Sequence, residues 1–116
     1  MAAPPAVLAV TTPSIEGRRI TKYLGVVAGE TVLGTGFDQH FMAGLQDLVG
    51  GRVSGWEGQL QQARYAALQE MCTRAASAGA NAVVGVELDY EFVGQYGSIV
   101  FVSATGTAVV TEPPTG

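Results

Sequence analysis

Between Gly79 and Glu91 a helix stop runs directly into a strand with one apolar and one acidic side. Gly79 suits the left-handed backbone that ends a helix, and the β-branched Val83, Val84 and Val86 favour extended chain just after it. Because strand side chains alternate, Ala82, Val84, Val86, Leu88, Tyr90 and Phe92 predict one unbroken apolar row. Glu87, Asp89 and Glu91 then share the other side. This junction fixes where a helix ends and a strand begins, and the other elements must be arranged around it.

The helix that Gly79 ends is predicted over Trp56 to Ala78. Ser54 and Glu57 form a capping box at its start, each side chain bonding the other residue's orphan backbone N–H. Leu60, Ala63, Ala67, Met71, Ala75 and Ala78 make one apolar stripe, widened by Leu68 and Cys72. Its small Ala contacts let such a helix lie close on a sheet, while Gln59, Gln62, Gln69, Glu70 and Thr73 form the polar face.

Elsewhere the pattern is weaker. Val7 to Thr11 is a short β-prone run stopped by Pro13. Ile20 to Val27 and Thr31 to Gly34 read as a small hairpin around Ala28-Gly29-Glu30, with Gly29 in the turn. A short helix is expected from Phe37 to Val49, stopped by Gly50 and Gly51. After the acidic-sided strand, a loop at Gly94 to Gly97 predicts an antiparallel hairpin into a last strand from Ser98. There Ile99, Phe101 and Ser103 face one way and Val100, Val102 and Ala104 the other, so both faces begin apolar and call for cover. Thr111 to Gly116 reads as a frayed tail.

Length suits one domain, 1–116, with a structured core from about 7 to 110. Charged residues are only 14% of the chain, against about 25% in ordinary globular proteins, while apolar residues reach 47%. That imbalance predicts a surface buried by self-association. Six scattered basic residues and a net charge of −4 argue against nucleic acid, which needs convergent cations. Arg18, Arg19 and Lys22 read as a solvated turn and strand edge. The opening residues lack the basic start of a signal peptide, and no run approaches the ~20 apolar residues of a membrane helix. With one cysteine, Cys72, no intrachain disulfide can form, and a cytoplasmic protein is expected.

Several segments together resemble the YbjQ-like family of small bacterial proteins. They are Pro13-x-Ile15-Glu16-Gly17, Tyr23-x-Gly25-x-Val27-x-Gly29, Gly50-Gly51-Arg52, Ala63-Arg64, Gly79-Ala80-Asn81-Ala82-Val83-Val84-Gly85-Val86, Asp89-Tyr90-Glu91 and Gly106-Thr107-Ala108-Val109. The similarity runs in order from about Val10 to Val110. It implies a two-layer α+β subunit of dodecin-like fold, one long helix on an antiparallel sheet, with extra strands and a short helix supporting a homo-oligomeric ring, commonly a pentamer. It also implies a family of unknown function that sometimes carries a heavy-metal-binding label. Gly36, Gln46 and Trp56 depart from the family pattern.

Individual residues give little support to metal chemistry. Soft metals favour thiolate and imidazole, yet Cys72 and His40 stand alone, Cys72 on an apolar stripe and His40 in the short helix. Glu87, Asp89 and Glu91 are the weak metal candidates. They recur ~7 Å apart, too wide for one chain to chelate one ion with all three, but symmetry copies in a ring could converge on Mg²⁺ or Ca²⁺. The plainer reading is a solvated face or intersubunit salt bridges to Arg64 or Arg74. Gly34-Thr35-Gly36 lacks the Lys and the spacing of a phosphate loop, and one histidine with no nucleophile motif assembles no catalytic set. The expectation is a non-enzymatic ring-forming protein with no assigned cofactor. The alternative is a metal-ion or small-ligand binder with sites at subunit interfaces or in the pore.

Overall fold

The chain order is β1 (Leu8–Ala9), β2 (Ile20–Gly34), α1 (Ser54–Ser77), β3 (Ala82–Val93) and β4 (Ile99–Thr111) in the computed structural model, which describes residues 6–34, 54–94 and 99–114. The short helix expected from Phe37 to Val49, its glycine stop and the side chains of the Ser54–Glu57 capping box lie outside the described residues. The four strands form one sheet in the order β1-β3-β4-β2. α1 lies on one face, chiefly over β2 and β4. The fold is α+β.

The sheet is mixed rather than wholly antiparallel. β3–β4 and β4–β2 are antiparallel, the former as the Gly-bearing loop predicts, but β1 runs parallel to β3 through Leu8 and Ala9 beside Ala82 and Val83. A parallel neighbour needs a long connection, and β2 with α1 supplies it.

α1 forms as its stripe predicts. Ala63, Ala67, Met71 and Ala75 are buried against Val83, Val86, Val100, Val102, Ala104 and Ala108 of the sheet. Each fully buried valine or methionine here contributes about 1.5–3 kcal/mol. The helix ends in a Schellman motif: the Ala80 N–H bonds the Ala75 carbonyl at 3.0 Å and the Gly79 N–H bonds that of Ala76 at 3.0 Å. Gly79 holds φ at 95°, as the sequence requires. Ala78 has left the stripe and is exposed.

Two expectations about strands are corrected. The Ile20–Gly34 stretch is one strand of 15 residues, not a hairpin, and it pairs along its length with β4. Gly29 is no turn residue. It is buried in mid-strand beneath α1, where a Cβ would collide with the Ala67 carbonyl oxygen and, at 2.5 Å, the Met71 nitrogen. Its missing side chain serves close approach of helix to sheet.

The apolar row of β3 is not unbroken either. A bulge between Val84 and Glu87, with Gly85 at φ 63°, inserts one extra residue opposite β4 and reverses the alternation. Val83 and Val86 therefore face α1, whereas Ala82 and Val84 join Val109 on the opposite face under Val10, Ile15 and Ile20. Beyond the bulge, Leu88, Tyr90 and Phe92 continue the helix side and Glu87, Asp89 and Glu91 the outer side. β4 alternates as expected, with Val100, Val102 and Ala104 toward the helix.

The C-terminal tail is anchored at its start rather than frayed. The Glu112 N–H bonds the Arg19 carbonyl at 2.8 Å, and Thr111 is buried at the end of β4.

Candidate functional site

Cross-strand register places the acidic row on the outer face beside β4 and β2. Glu87 lies level with Thr105 and Ala28, Asp89 with Ser103 and Glu30, and Glu91 with Phe101 and Val32. All three acids are exposed. Neither arginine considered as their partner meets them within the subunit. Arg74 pairs with Glu70 at 3.0 Å, and Arg64 donates to the Tyr90 hydroxyl at 3.2 Å. Among the described residues no group of three His, Cys, Asp or Glu is placed to hold a metal ion. His40, Gly36 and Gln46, and the side chain of Trp56, lie outside the described residues.

The same outer face carries exposed apolar side chains. Val26 is 82% exposed, Tyr23 68% and Val32 54%, with Phe101 next to Val32 at 43%. The loop around Ile15 covers the face over Ala82, Val84 and Val109, but these four lie outside that cover.

The sheet's two long edges are finished differently. On β2, Arg74 Nη1 donates to the Ala28 carbonyl at 2.7 Å and Glu70 Oε1 accepts from the Glu30 N–H at 3.2 Å, so a helix-borne ion pair closes the strand at Gly29. On β3, the Val86 N–H reaches the Val10 carbonyl at 3.0 Å, and beyond it no described strand lies along that side. The Tyr90 N–H there donates to the carboxylate of its neighbour Asp89, at 3.1 Å.

Two concavities flank these edges. A groove of about 310 Å³ between α1 and the start of the described chain is lined by Val7, Leu68 and Cys72. Burial pushes the Cys72 thiol above its ordinary range, which disfavours the reactive thiolate. A more open notch of about 490 Å³ is bordered by Arg18, Arg19 and Tyr23. Its cations are engaged: Arg18 Nε donates to Thr111 Oγ1 at 3.1 Å, and Arg19 bonds Glu112 at 2.7 Å. That hydrogen bond, together with the Glu112 charge, raises the Arg19 pKa.

Asn81 is the residue whose role the sequence did not disclose. Its Nδ2 donates to the Thr111 carbonyl at 3.0 Å, and its Oδ1 accepts from the Thr111 N–H at 2.9 Å. One amide thus stands in for a strand and latches the end of β4 to the helix–strand junction. Only its position between a helix stop and a strand, beside Gly79 and Ala80, hinted at this.

From residue 7 to residue 112 the sequence matches the YbjQ family model, whose description is "Putative heavy-metal-binding". The chain belongs to the YbjQ family. A crystal structure of a protein of unknown function from Pediococcus pentosaceus, described as a DUF74 family member, superposes with a TM-score of 0.60. It covers 91% of this chain and 98% of its own length at 17% identity, which establishes likeness of fold. For the YbjQ chain, Cys72 stands by itself and the described residues bring no group of three His, Cys, Asp or Glu together to match that description. No helix among the described residues is long and apolar enough to cross a membrane.

Proposed function

We propose that the protein is a non-enzymatic, cytoplasmic, ring-forming scaffold whose self-assembly, as a dodecin-like pentamer, creates whatever binding site it has. The observation that carries this reading is the outer face, where Tyr23, Val26, Val32 and Phe101 expose apolar surface on the side of the sheet away from α1. A low charge content points the same way, since too few charges exist to cover an isolated subunit.

A second reading is favoured by the acidic row and by the family description: a metal-ion binder using Glu87, Asp89 and Glu91 from several subunits. Carboxylates converging around a symmetry axis suit Mg²⁺ or Ca²⁺, which take six or more oxygen ligands, better than soft heavy metals.

A native mass spectrum tests both together. A bare ring is the expected outcome. A ring that retains a stoichiometric ion, lost on replacing the three acids by their amides, would transfer the function to metal binding. A monomer at all concentrations would overturn the scaffold.

A further inference from the structure

We propose that the edge of β2 around Gly29 is a strand-docking surface, closed in the single subunit by Glu70 and Arg74, and that it fits the distal half of β3, Glu87 to Val93, from a second copy. The proposal rests on the self-assembly reading for its occupant. It adds where two copies join and what holds the join shut.

The hydrogen bonds identify the kind of strand. In a parallel ladder, a residue of the neighbouring strand donates its N–H to the carbonyl one residue before its partner and accepts from the N–H one residue after. Opposite Gly29, Arg74 makes the first bond, to Ala28, and Glu70 the second, from Glu30. The ion pair therefore occupies the place of a parallel strand residue, which is one way a protein blunts a long edge.

Direction identifies the occupant. β2 and β3 are both antiparallel to β4, so they run the same way within a subunit. Rotation about an axis along the strands then brings β3 of one copy parallel to β2 of the next, a heterologous contact that can close into a ring. Pairing two copies of β3 with each other instead would set acidic rows side by side, which like-charge repulsion disfavours.

Docking would also cover what the fold leaves bare. Leu88, Tyr90 and Phe92 lie on the helix side of β3, where α1, sitting chiefly over β2 and β4, reaches the Tyr90 hydroxyl through Arg64 but leaves Phe92 58% exposed. Placed beside β2 of a neighbour, that row comes against the flank of the neighbour's α1. Outward-facing N–H groups, of which Tyr90 now bonds its own neighbour's carboxylate, gain ladder partners.

The test compares the wild-type chain with Glu70→Ala plus Arg74→Ala, two changes that leave α1 good helix formers. Native mass spectra over a dilution series read the concentration of half-assembly, and circular dichroism confirms the fold. Releasing an exposed pair worth at most about 1 kcal/mol lowers that concentration about fivefold. Amide exchange at Leu88, Tyr90 and Phe92 slows on assembly, and adding Tyr90→Pro, which removes an outward N–H, reverses the gain. A wild-type ring whose midpoint is unchanged by opening the guard overturns the docking surface and leaves the scaffold standing. A monomeric wild type with an assembling variant does the reverse. A gain without slowed exchange on β3 overturns the occupant.

Discussion

The two edges of the sheet solve one problem in opposite ways. β2 is long and continuous, and its exposed backbone at Gly29 is closed by Glu70 and Arg74 reaching down from α1. β3 is covered by the start of the described chain as far as Val86, and further along its acids point to solvent while α1 touches the helix-side row at the Tyr90 hydroxyl, through Arg64, and Phe92 stays exposed. Proximity of α1 makes the difference. Where the helix descends onto the sheet its side chains finish the edge, and past Val86 no described strand finishes the other one.

The largest expected effect comes from lifting the helix away from the closed edge. Gly29→Val has two opposite forecasts. Strand propensity favours valine over glycine by up to about 1 kcal/mol. A Cβ at this position, however, would run into the Ala67 carbonyl and the Met71 nitrogen, backbone atoms that cannot swing aside. Overpacking of this kind costs about 3 kcal/mol, so the melting temperature should fall by roughly 10 °C. Thermal denaturation followed by circular dichroism decides, and a rise in melting temperature would mean that helix and β2 are not in close contact at Gly29.

Away from that edge, where the start of β3 meets the end of β4, the corresponding lever is Asn81. Replacing it by Ala removes the amide that pairs with both backbone groups of Thr111 and leaves them part-buried without their partners. The expected cost is about 2 kcal/mol in urea unfolding, with an unchanged slope because the surface exposed on unfolding is the same. Hydrogen exchange should rise first at the end of β4 and leave the amides under α1 protected. Uniform loss of protection would show that the latch supports the whole core rather than the end of β4 alone.

These residues also show what the sequence could convey. The spacing of Ala63, Ala67, Met71 and Ala75 was sufficient to find α1 and its buried face, and Gly79 to find its end, because periodicity and backbone conformation are local properties. The β3–β4 hairpin was legible for the same reason. Gly29 was misread because a glycine needed for a turn and one needed for a close contact look alike until the neighbouring element is placed. Gly85 hid a bulge, and with it the reversal that sends Ala82 and Val84 to one face and Val86 to the other. The acidic row was found correctly, but its surroundings were not. Ser103 and Glu30 lie beside Asp89 only through a register that joins three distant segments. Glu70 and Arg74 stood as two surface charges four apart, and nothing local announced that they would face a strand edge.

The smallest effect sharpens the comparison on α1 itself. Glu70 and Arg74 lie on the flank toward β2, whereas Leu68 and Cys72 lie toward β1 and β3, beside Val7. Burial raises the Cys72 pKa above the ordinary 9.0. The folded chain therefore keeps its proton where the unfolded chain has begun to lose it. Stability contributed by this group is complete below pH 9 and declines as pH rises through the folded value. Cys72→Ala should flatten that decline in urea unfolding measured between pH 8 and 10, a window named by the direction of the shift. Ellman's reagent should modify the native thiol more slowly than the urea-unfolded one, because the thiolate is the reacting species. Equal rates in both states would place Cys72 in open solvent, and the flank toward β3 would then be as bare as the strand edge beyond it.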